Sequence, residues 1–373
     1  MKTLLLAVYF YSSPCRKIWV DNLFCRSYTY SDERSRKMST KLTLLQVLSE
    51  NSGRYVSGQE LADILGISRN SVWKAANKLK QQGYNIESMS GTGYRLISAS
   101  DILSEDYLRE NITHPCRIQV LEKVDSTNNA AKLINNCDPP RIIVANEQTG
   151  GRGRLGRSFY SPAGTGLYIT IAFRPTFGLD RAMLTTASAA VVVCRAIEKV
   201  SGLRPKIKWV NDIYLGEKKL CGILTEAESN FETGTIEKII VGIGVNCFKA
   251  SVPEELVDTV AFMENPSKDF SRNELAVAIA NEFFDVMEHF DKQALLREYK
   301  AHSFILGEQI RIFNPAIARS MGLSPEKEKE GIRARAIDID ENGGLVVEFL
   351  EGRRSREMET LTTGEITIRK IND

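Results

Sequence analysis

Between Thr40 and Leu79 the apolar residues recur at the helical period, are broken by glycine and are flanked by capping residues. Such a stretch reads as a bundle of short helices. Leu44, Leu45, Val47 and Leu48 give a first stripe that stops near Asn51–Gly53. Ser57-Gly58-Gln59-Glu60 is a capping box, with Ser57 as N-cap and Glu60 at the third helical position. Leu61, Ile64 and Leu65 are expected to face inward, and Gly66 closes the helix. Ser68 caps a third helix with Val72, Ala75, Ala76 and Leu79 on its buried side and Asn70, Trp73, Lys74 and Asn77 opposite. Tyr84–Leu96 alternates around Gly91-Thr92-Gly93 and reads as a β-hairpin wing. Helix, glycine-containing turn and helix is the helix-turn-helix arrangement, whose second helix enters the major groove. Candidate DNA contacts are Ser68, Arg69, Asn70, Trp73, Lys74 and Asn77: asparagine reaches base edges and lysine reaches phosphate. A three-helix packing or dimerisation module, with Trp73 half-buried, is the competing reading.

Charge divides in the same way. The 373 residues sum to +2, but residues 1–37 carry +4, residues 38–98 carry +3 and the remainder carries −5. A small, regular, basic module suits a polyanionic partner. Hydrophobic residues at 43% and charged ones at 26% exclude disorder throughout, and no apolar run reaches the roughly 18–20 residues of a membrane span. Seven scattered cysteines without C-x-x-C argue against a disulfide framework or thiolate metal site, and His114, His289 and His302 lack ligand spacing. Residues 1–37 match neither a signal peptide nor a domain. They are expected to be a disordered or mis-assigned extension, with the natural chain starting at Met38.

Past the basic module, Arg117–Leu121 is strand-like and leads through Asp125-Ser126-Thr127-Asn128 into a helix over Asn129–Ile134. Ser, Thr and Asn at such a junction serve equally well as N-caps or as ligand contacts. A strand over Arg141–Ala145 then runs into Gln148-Thr149-Gly150-Gly151-Arg152-Gly153-Arg154-Leu155-Gly156-Arg157. Residues 151–156 satisfy G-x-G-x-x-G formally, yet no helix follows, since Ser161-Pro162-Ala163-Gly164 and a strand over Leu167–Phe173 come next. That context rejects a dinucleotide fingerprint, and the missing G-K-[ST] rejects a P-loop. What remains is three Arg and four Gly within eight residues and no carboxylate. Such a loop suits phosphate or carboxylate oxygens and has little reason to order before an anion arrives; the alternative is a flexible linker.

Lys208–Leu215 and Glu217–Glu226 read as a hairpin turning at Gly216, which gathers Asn211, Asp212 and Lys219. A plain turn with solvated charges explains one such hairpin equally well. Ile239–Asn246 is a buried strand with Gly242 and Gly244 at alternate positions, opening one face to close approach. Between Leu306 and Ile371 come short β runs at Gln309–Phe313, Gly331–Asp338, Leu345–Leu350 and Glu365–Arg369. Turns are expected at Asn314-Pro315 and Glu341–Gly344, and a solvated loop at Pro325–Gly331.

Taken together, Ser126-Thr127-Asn128, Gln148 to Arg157, Lys208 to Asp212, Lys219-Leu220-Cys221-Gly222-Ile223-Leu224 and Gly242 to Asn246 resemble the bifunctional biotin–protein ligases that double as biotin-responsive repressors. The resemblance spans residues 40–370. It implies an α+β chain: a winged helix-turn-helix (38–100), a class II synthetase-like mixed sheet with helices (101–304) and a C-terminal SH3-like β-barrel (305–373). It implies ATP and Mg²⁺ as cofactors and biotin as substrate, with a biotin carboxyl carrier protein as acceptor. Operator DNA of biotin genes, a homodimer in the adenylate-bound form, no membrane partner and a cytoplasmic location are implied as well.

By the same resemblance, Lys219, Arg152, Arg154 and Asp212 are catalytic, with Asp212 serving Mg²⁺ or the acceptor lysine. Ser126, Thr127, Asn128, Gln148, Gly151, Gly153, Asn211, Gly222, Leu224, Gly242 and Asn246 join them around biotin and its adenylate, Gly222 and Gly242 clearing room for the fused rings. Val210 stands where proline is commoner and Cys221 where alanine is commoner; Cys221 is expected to add oxidation sensitivity. A non-enzymatic biotin sensor needs the pocket but not Arg154, Lys219 and Asp212 together, and a lipoate or octanoate ligase lacks both the Gly-Arg signature and the winged helix.

Overall fold

The computed structural model describes residues 40–51, 53–81, 86–96, 101–230, 232, 234–264, 270–362 and 367–370. Residues 1–37 and Tyr84 lie outside them. Two compact units divide the chain at Ile102/Leu103.

In the first unit, α1 (Thr40–Glu50), α2 (Gly58–Leu65) and α3 (Arg69–Gln81) precede the antiparallel hairpin of β1 (Ile86–Met89) and β2 (Gly93–Leu96). Leu44, Leu48, Leu61, Val72, Ala76, Leu79, Ile86 and Leu96 form its core. Ser57 Oγ accepts from the Glu60 N–H at 3.1 Å, and Gly66 ends α2 at φ +63°. Ser68 Oγ accepts from the Ser71 N–H at 3.2 Å, the cap expected for α3. Ile64 departs from expectation: it is 55% exposed. Leu61, Leu65 and Ala62 span about 100° of the helix, and Ile64 falls about 60° outside that arc. Gly93, at φ +132°, lies against Val56, whose N–H donates to Tyr94 O at 2.8 Å, so the wing is anchored to the entry of α2.

The second unit begins with α4 (Glu105–Asn111), β3 (Arg117–Leu121), α5 (Thr127–Lys132), β4 (Arg141–Ala145) and β5 (Gly166–Phe173). It continues with α6 (Leu179–Met183), α7 (Thr185–Ser201), β6 (Lys206–Lys208), β7 (Asp212–Leu215), β8 (Lys218–Ser229), β9 (Ile236–Asn246), α8 (Arg272–Glu288) and α9 (Lys292–His302). Seven strands form a mixed sheet in the order β3-β4-β5-β9-β8-β7-β6, with only the β3–β4 pair parallel. Strand alternation sorts the sheet into two faces. Val144, Ile169, Ile171, Ile223, Val241, Ile243 and Val245 join the main core with Ala190, Val193 and Ile279 of α7 and α8. The other face carries Thr170, Gly222, Leu224, Glu226, Gly242 and Gly244, with α5 packed on Ile143, Ala172 and Ile240 beside them.

The chain ends with β10 (Gln309–Phe313), α10 (Pro315–Ser320), α11 (Pro325–Glu330), β11 (Ile332–Ile339), β12 (Leu345–Phe349), β13 (Met358–Leu361) and β14 (Thr367–Lys370). The five strands form an antiparallel sheet ordered β13-β12-β11-β10-β14. Two expectations change here. The Asn314-Pro315 turn is the start of α10, where Asn314 Oδ1 accepts from the Ile317 N–H. The Pro325–Gly331 loop is helical as α11, because proline is at home in a first turn and Glu and Lys favour helix. Ile310, Ile312, Ala334, Val347 and Phe349 belong to the same core as the seven-stranded sheet.

Candidate active site

Cross-strand register places the site. Gly244 of β9 sits between Gly222 of β8 and Tyr168 of β5, and the next same-face row runs Leu224, Gly242, Thr170. A row further on, Glu226 and Ala172 flank Ile240. Above this face opens a cavity of about 600 Å³. It is lined by Ser126, Thr127, Asn128, Gln148, Arg152, Gly153, Arg154, Asn211, Asp212, Lys219, Gly222, Leu224 and Gly242, all singled out from sequence. Segments nearly 120 residues apart in the chain therefore converge on one wall. Gly151 and Asn246 stand off the main cavity. Gly151 supports the loop behind it, and Asn246 faces a second cavity of about 220 Å³ that shares Phe159, Tyr214 and Lys219 with the first.

Ser126 takes the N-cap position of α5 but makes no side-chain cap bond. Thr127 and Asn128 turn to the sheet instead. The Thr127 N–H donates to Gln148 Oε1 at 2.9 Å, and Asn128 Nδ2 donates to Glu226 Oε2 at 3.0 Å. Behind α5, the buried Lys238 ammonium donates to the carbonyls of Lys132 and Ile134 and pairs with Glu228 at 2.9 Å, pinning the helix end to β8 and β9.

The Gly-Arg loop folds back on itself as a hairpin. The Phe159 N–H donates to Gly151 O at 2.8 Å and the Gly153 N–H to Arg157 O at 2.7 Å, closing a tight hairpin. Any Cβ on Gly151 would strike Phe159 O, so backbone pairing at the base requires glycine there. The hairpin lays the Phe159 ring over Gly244, where a Cβ would come within 2.6 Å of it. Gly242 likewise accommodates Asn128, whose Oδ1 occupies the place a Cβ would need. Phe159 and Tyr214 line the cavity without having been marked by the sequence; an aromatic in a loop and one in a strand carry no motif.

Charge is concentrated at one end. Lys219 Nζ pairs with Asp212 Oδ1 at 2.7 Å, and Arg154 Nη1 donates to Asn211 Oδ1 at 3.1 Å. Burial pulls the Arg154 guanidinium below its usual value, opposed by the neighbouring Asp212 carboxylate. Burial, reinforced by Asp212 and Glu217, pushes the Tyr214 hydroxyl up to about 12, so it stays a neutral donor. Arg152 Nη1 donates to Asn129 Oδ1 at 3.1 Å beside α5. Apart from Arg152 at its rim, the Thr127–Gln148 end is lined by neutral polar groups. Trp209 and Val210 are buried behind Asn211, their peptide bond is cis, and Tyr299 Oη donates to Val210 O at 3.1 Å. Cys221 overturns its expected oxidation sensitivity: it is fully buried on the core face, and burial raises its thiol well above the ordinary value.

On the first unit, Ser68, Arg69, Asn70 and Lys74 are exposed along α3, Asn77 is half-buried and Trp73 is 54% exposed.

Residues 120–246 match the biotin/lipoate A/B protein ligase family and residues 40–95 match an HTH domain family. The bifunctional ligase/repressor BirA of Bacillus spizizenii is 31% identical over 83% of this chain and 94% of that protein. The Escherichia coli BirA is 28% identical over 82% and 92%. A biotin protein ligase from Aquifex aeolicus, solved in complex with biotin and ATP, superposes with a TM-score of 0.56 at 26% identity, covering 68% of this chain and 99% of that one. A shared ligase sheet, a shared helix-turn-helix and similarity across nearly the whole of these relatives place the chain in the family of BirA-type bifunctional biotin ligases and repressors.

Proposed function

We propose that the cavity joins biotin to ATP and then to a lysine of a biotin carboxyl carrier protein, and that its charge gradient organises the reaction. The observation that carries this is the placement of Lys219 and Arg154 around Asn211–Asp212, away from the neutral Thr127–Gln148 end. Biotin has one anionic and one neutral polar end, so its carboxylate is drawn to the cations and its ring system to α5. A carboxylate oxygen attacks the α-phosphorus of ATP, the bond to pyrophosphate breaks, and biotinyl-5′-AMP forms. The acceptor amine then attacks the acyl carbon and AMP leaves. Both reactants of the first step are anions, and Lys219 and Arg154 offset their repulsion as charge shifts to pyrophosphate, while Arg152, held beside α5 by Asn129, adds positive charge from the other side of the cavity. The second cavity, walled by Phe159, Tyr160, Leu256 and Phe262 with Asn246 at its edge, suits the adenine base.

Asp212 is the one carboxylate on the main cavity wall among the described residues. That fits Mg²⁺, which is held mainly by phosphate oxygens and water with one or two protein carboxylates. When bound, the ion would draw charge from the phosphates, while Asp212 holds Lys219 in place and faces the acceptor lysine. We read the C-terminal sheet as an SH3-like barrel closing over ATP and acceptor, the 101–304 region as class II synthetase-like, and the α3 face as the operator-binding surface of a dimer formed on adenylate binding. The five described cysteines are all free thiols, which suits a reducing cytoplasm.

Incubation with biotin, MgATP and apo carrier domain should label one acceptor lysine, and Lys219→Ala should lower adenylate formation by about 100-fold or more. Absence of labelling on a folded acceptor, or labelling with lipoate or octanoate in preference, would overturn the assignment. Operator affinity that is the same with and without biotinyl-5′-AMP would remove the repressor coupling.

A further inference from the structure

The neutral end of the cavity is wired from behind by a carboxylate that does not line it. Asn128, Thr127 and Thr170 are buried, and their polar atoms form a chain. Asn128 Nδ2 lies 3.0 Å from Glu226 Oε2 and 3.3 Å from Leu224 O. Both partners are acceptors only, so the amide nitrogen must face them and Oδ1 must face away. Oδ1 receives the Thr170 hydroxyl at 2.7 Å.

A hydroxyl has a single hydrogen. Once that of Thr170 is committed to Asn128, the Thr170 and Thr127 oxygens, 2.8 Å apart, can bond only if Thr127 donates. The other partner within reach of the Thr127 hydroxyl is Gln148 Oε1 at 3.1 Å, also an acceptor. Gln148 is oriented in turn, because its Nε2 donates to Ser161 Oγ at 3.0 Å while Ser161 donates to Phe159 O at 2.9 Å. The hydrogen of Thr127 is thus spent inside the protein, and lone pairs are what its oxygen offers the cavity.

We propose that Glu226 is a positioning residue that sets the direction of this chain, so that Thr127 accepts from the ligand and the site selects an N–H donor, the cyclic urea of biotin, over acids that have none there. The inference rests on the ligase reading and concerns how that ligase chooses its acid. Glu226 is itself oriented: Lys132 Nζ donates to Oε1 at 2.8 Å, leaving Oε2 for Asn128. Each oxygen has one assigned donor, and only a group with two acceptor atoms serves both. With a single acceptor atom at position 226, the ammonium takes it and an N–H turns on Asn128. Asn128 then flips, exchanging its long bond to Leu224 O for the shorter one from the carboxamide; its Nδ2 donates to Thr170, and the Thr170 hydrogen moves onto Thr127, occupying a lone pair that the ligand would otherwise meet.

Glu226→Gln performs that exchange with almost no change in shape. In the full chain, calorimetry should show the biotin dissociation constant rising about 10-fold, roughly one hydrogen bond's worth, and KM for biotin rising with it while kcat holds. The double variant Lys132→Met/Glu226→Gln frees the carboxamide oxygen to face Asn128, so biotin affinity should return to within about 2-fold of the unsubstituted chain. A support role for Glu226 predicts the opposite, since removing Lys132 as well would deepen the defect. Biotin methylated in turn on each urea nitrogen supplies the second measurement. For one of the two isomers the unsubstituted chain should lose about 100-fold in affinity and Glu226→Gln markedly less.

Unchanged affinity in Glu226→Gln, a double variant no better than the single, or equal loss for the methylated isomer in both chains each overturns the proposal. Labelling of the carrier domain by the unsubstituted chain in the same experiment separates these outcomes from failure of the ligase reading, which would remove the proposal with it.

Discussion

Trp209 donates its indole N–H to the carbonyl oxygen of Gly343 at 2.9 Å, a buried bond that joins the strand end carrying Asn211 and Asp212 to the β11–β12 turn. The C-terminal sheet is therefore tied directly to the wall that holds Arg154 and Lys219. Trp209→Phe keeps an aromatic ring, though a smaller one, and removes the donor, leaving the Gly343 oxygen unpaired. The loss should be about 1–3 kcal/mol of stability, seen as a lower urea midpoint for the ligase unit. An unchanged midpoint would mean that ring packing alone makes the connection.

Gly242→Ala should be a binding mutation. The added methyl overlaps the position of Asn128 Oδ1, and the strand backbone on either side is paired with β5 and β8 and cannot retreat. Asn128 must move, so biotin affinity should fall at least 10-fold while circular dichroism stays that of the unsubstituted chain. Retained affinity would show that Asn128 can relocate without disturbing the cavity.

Thiol titration gives a pH prediction with a definite sign. Burial pushes the Cys116 thiol from 9.0 up to about 11, and Cys137, Cys194 and Cys221 are displaced in the same direction. The unfolded chain loses these protons first, so stability is fully present below pH 9 and declines as pH rises toward 11. Thermal midpoints recorded between pH 8 and 10.5 should fall across that window. At pH 8 a disulfide reagent should leave Cys221 of the folded chain unmodified; rapid modification would contradict its burial.

For DNA, Lys74→Ala should weaken binding evenly across sequences and reduce the salt dependence by about one unit of slope. Asn70→Ala should instead relax discrimination at one base pair by about 1–3 kcal/mol. Titration against operator and scrambled duplexes at several salt concentrations separates the two. Identical behaviour of the two variants would place α3 outside the groove.

The parts of the site that were legible in sequence are those whose chemistry is local. Ser126–Asn128, the Gly-Arg loop and the Lys219 segment are runs of unusual residues, and all three reach the cavity. Contributions made by register or by distance left no local trace. Thr170 is an ordinary strand threonine until β5 pairs with β9 and sets it beside Gly242. Phe159 gains its place only when the loop closes on Gly151, and Lys238 is one charge in a strand until the end of α5 arrives to receive it. Ile64 and the Pro325–Glu330 helix depart from the sequence pattern for a related reason, since short helices leave the pattern too few turns to fix a face or distinguish a helix from a loop.

Side chains of the C-terminal sheet and of the seven-stranded sheet interleave in a single core, while the helical unit keeps a separate one. The helical unit can therefore be exchanged as a cassette without opening the core of the ligase unit. The C-terminal sheet cannot be exchanged in this way, because removing it would expose the core it shares with the seven-stranded sheet.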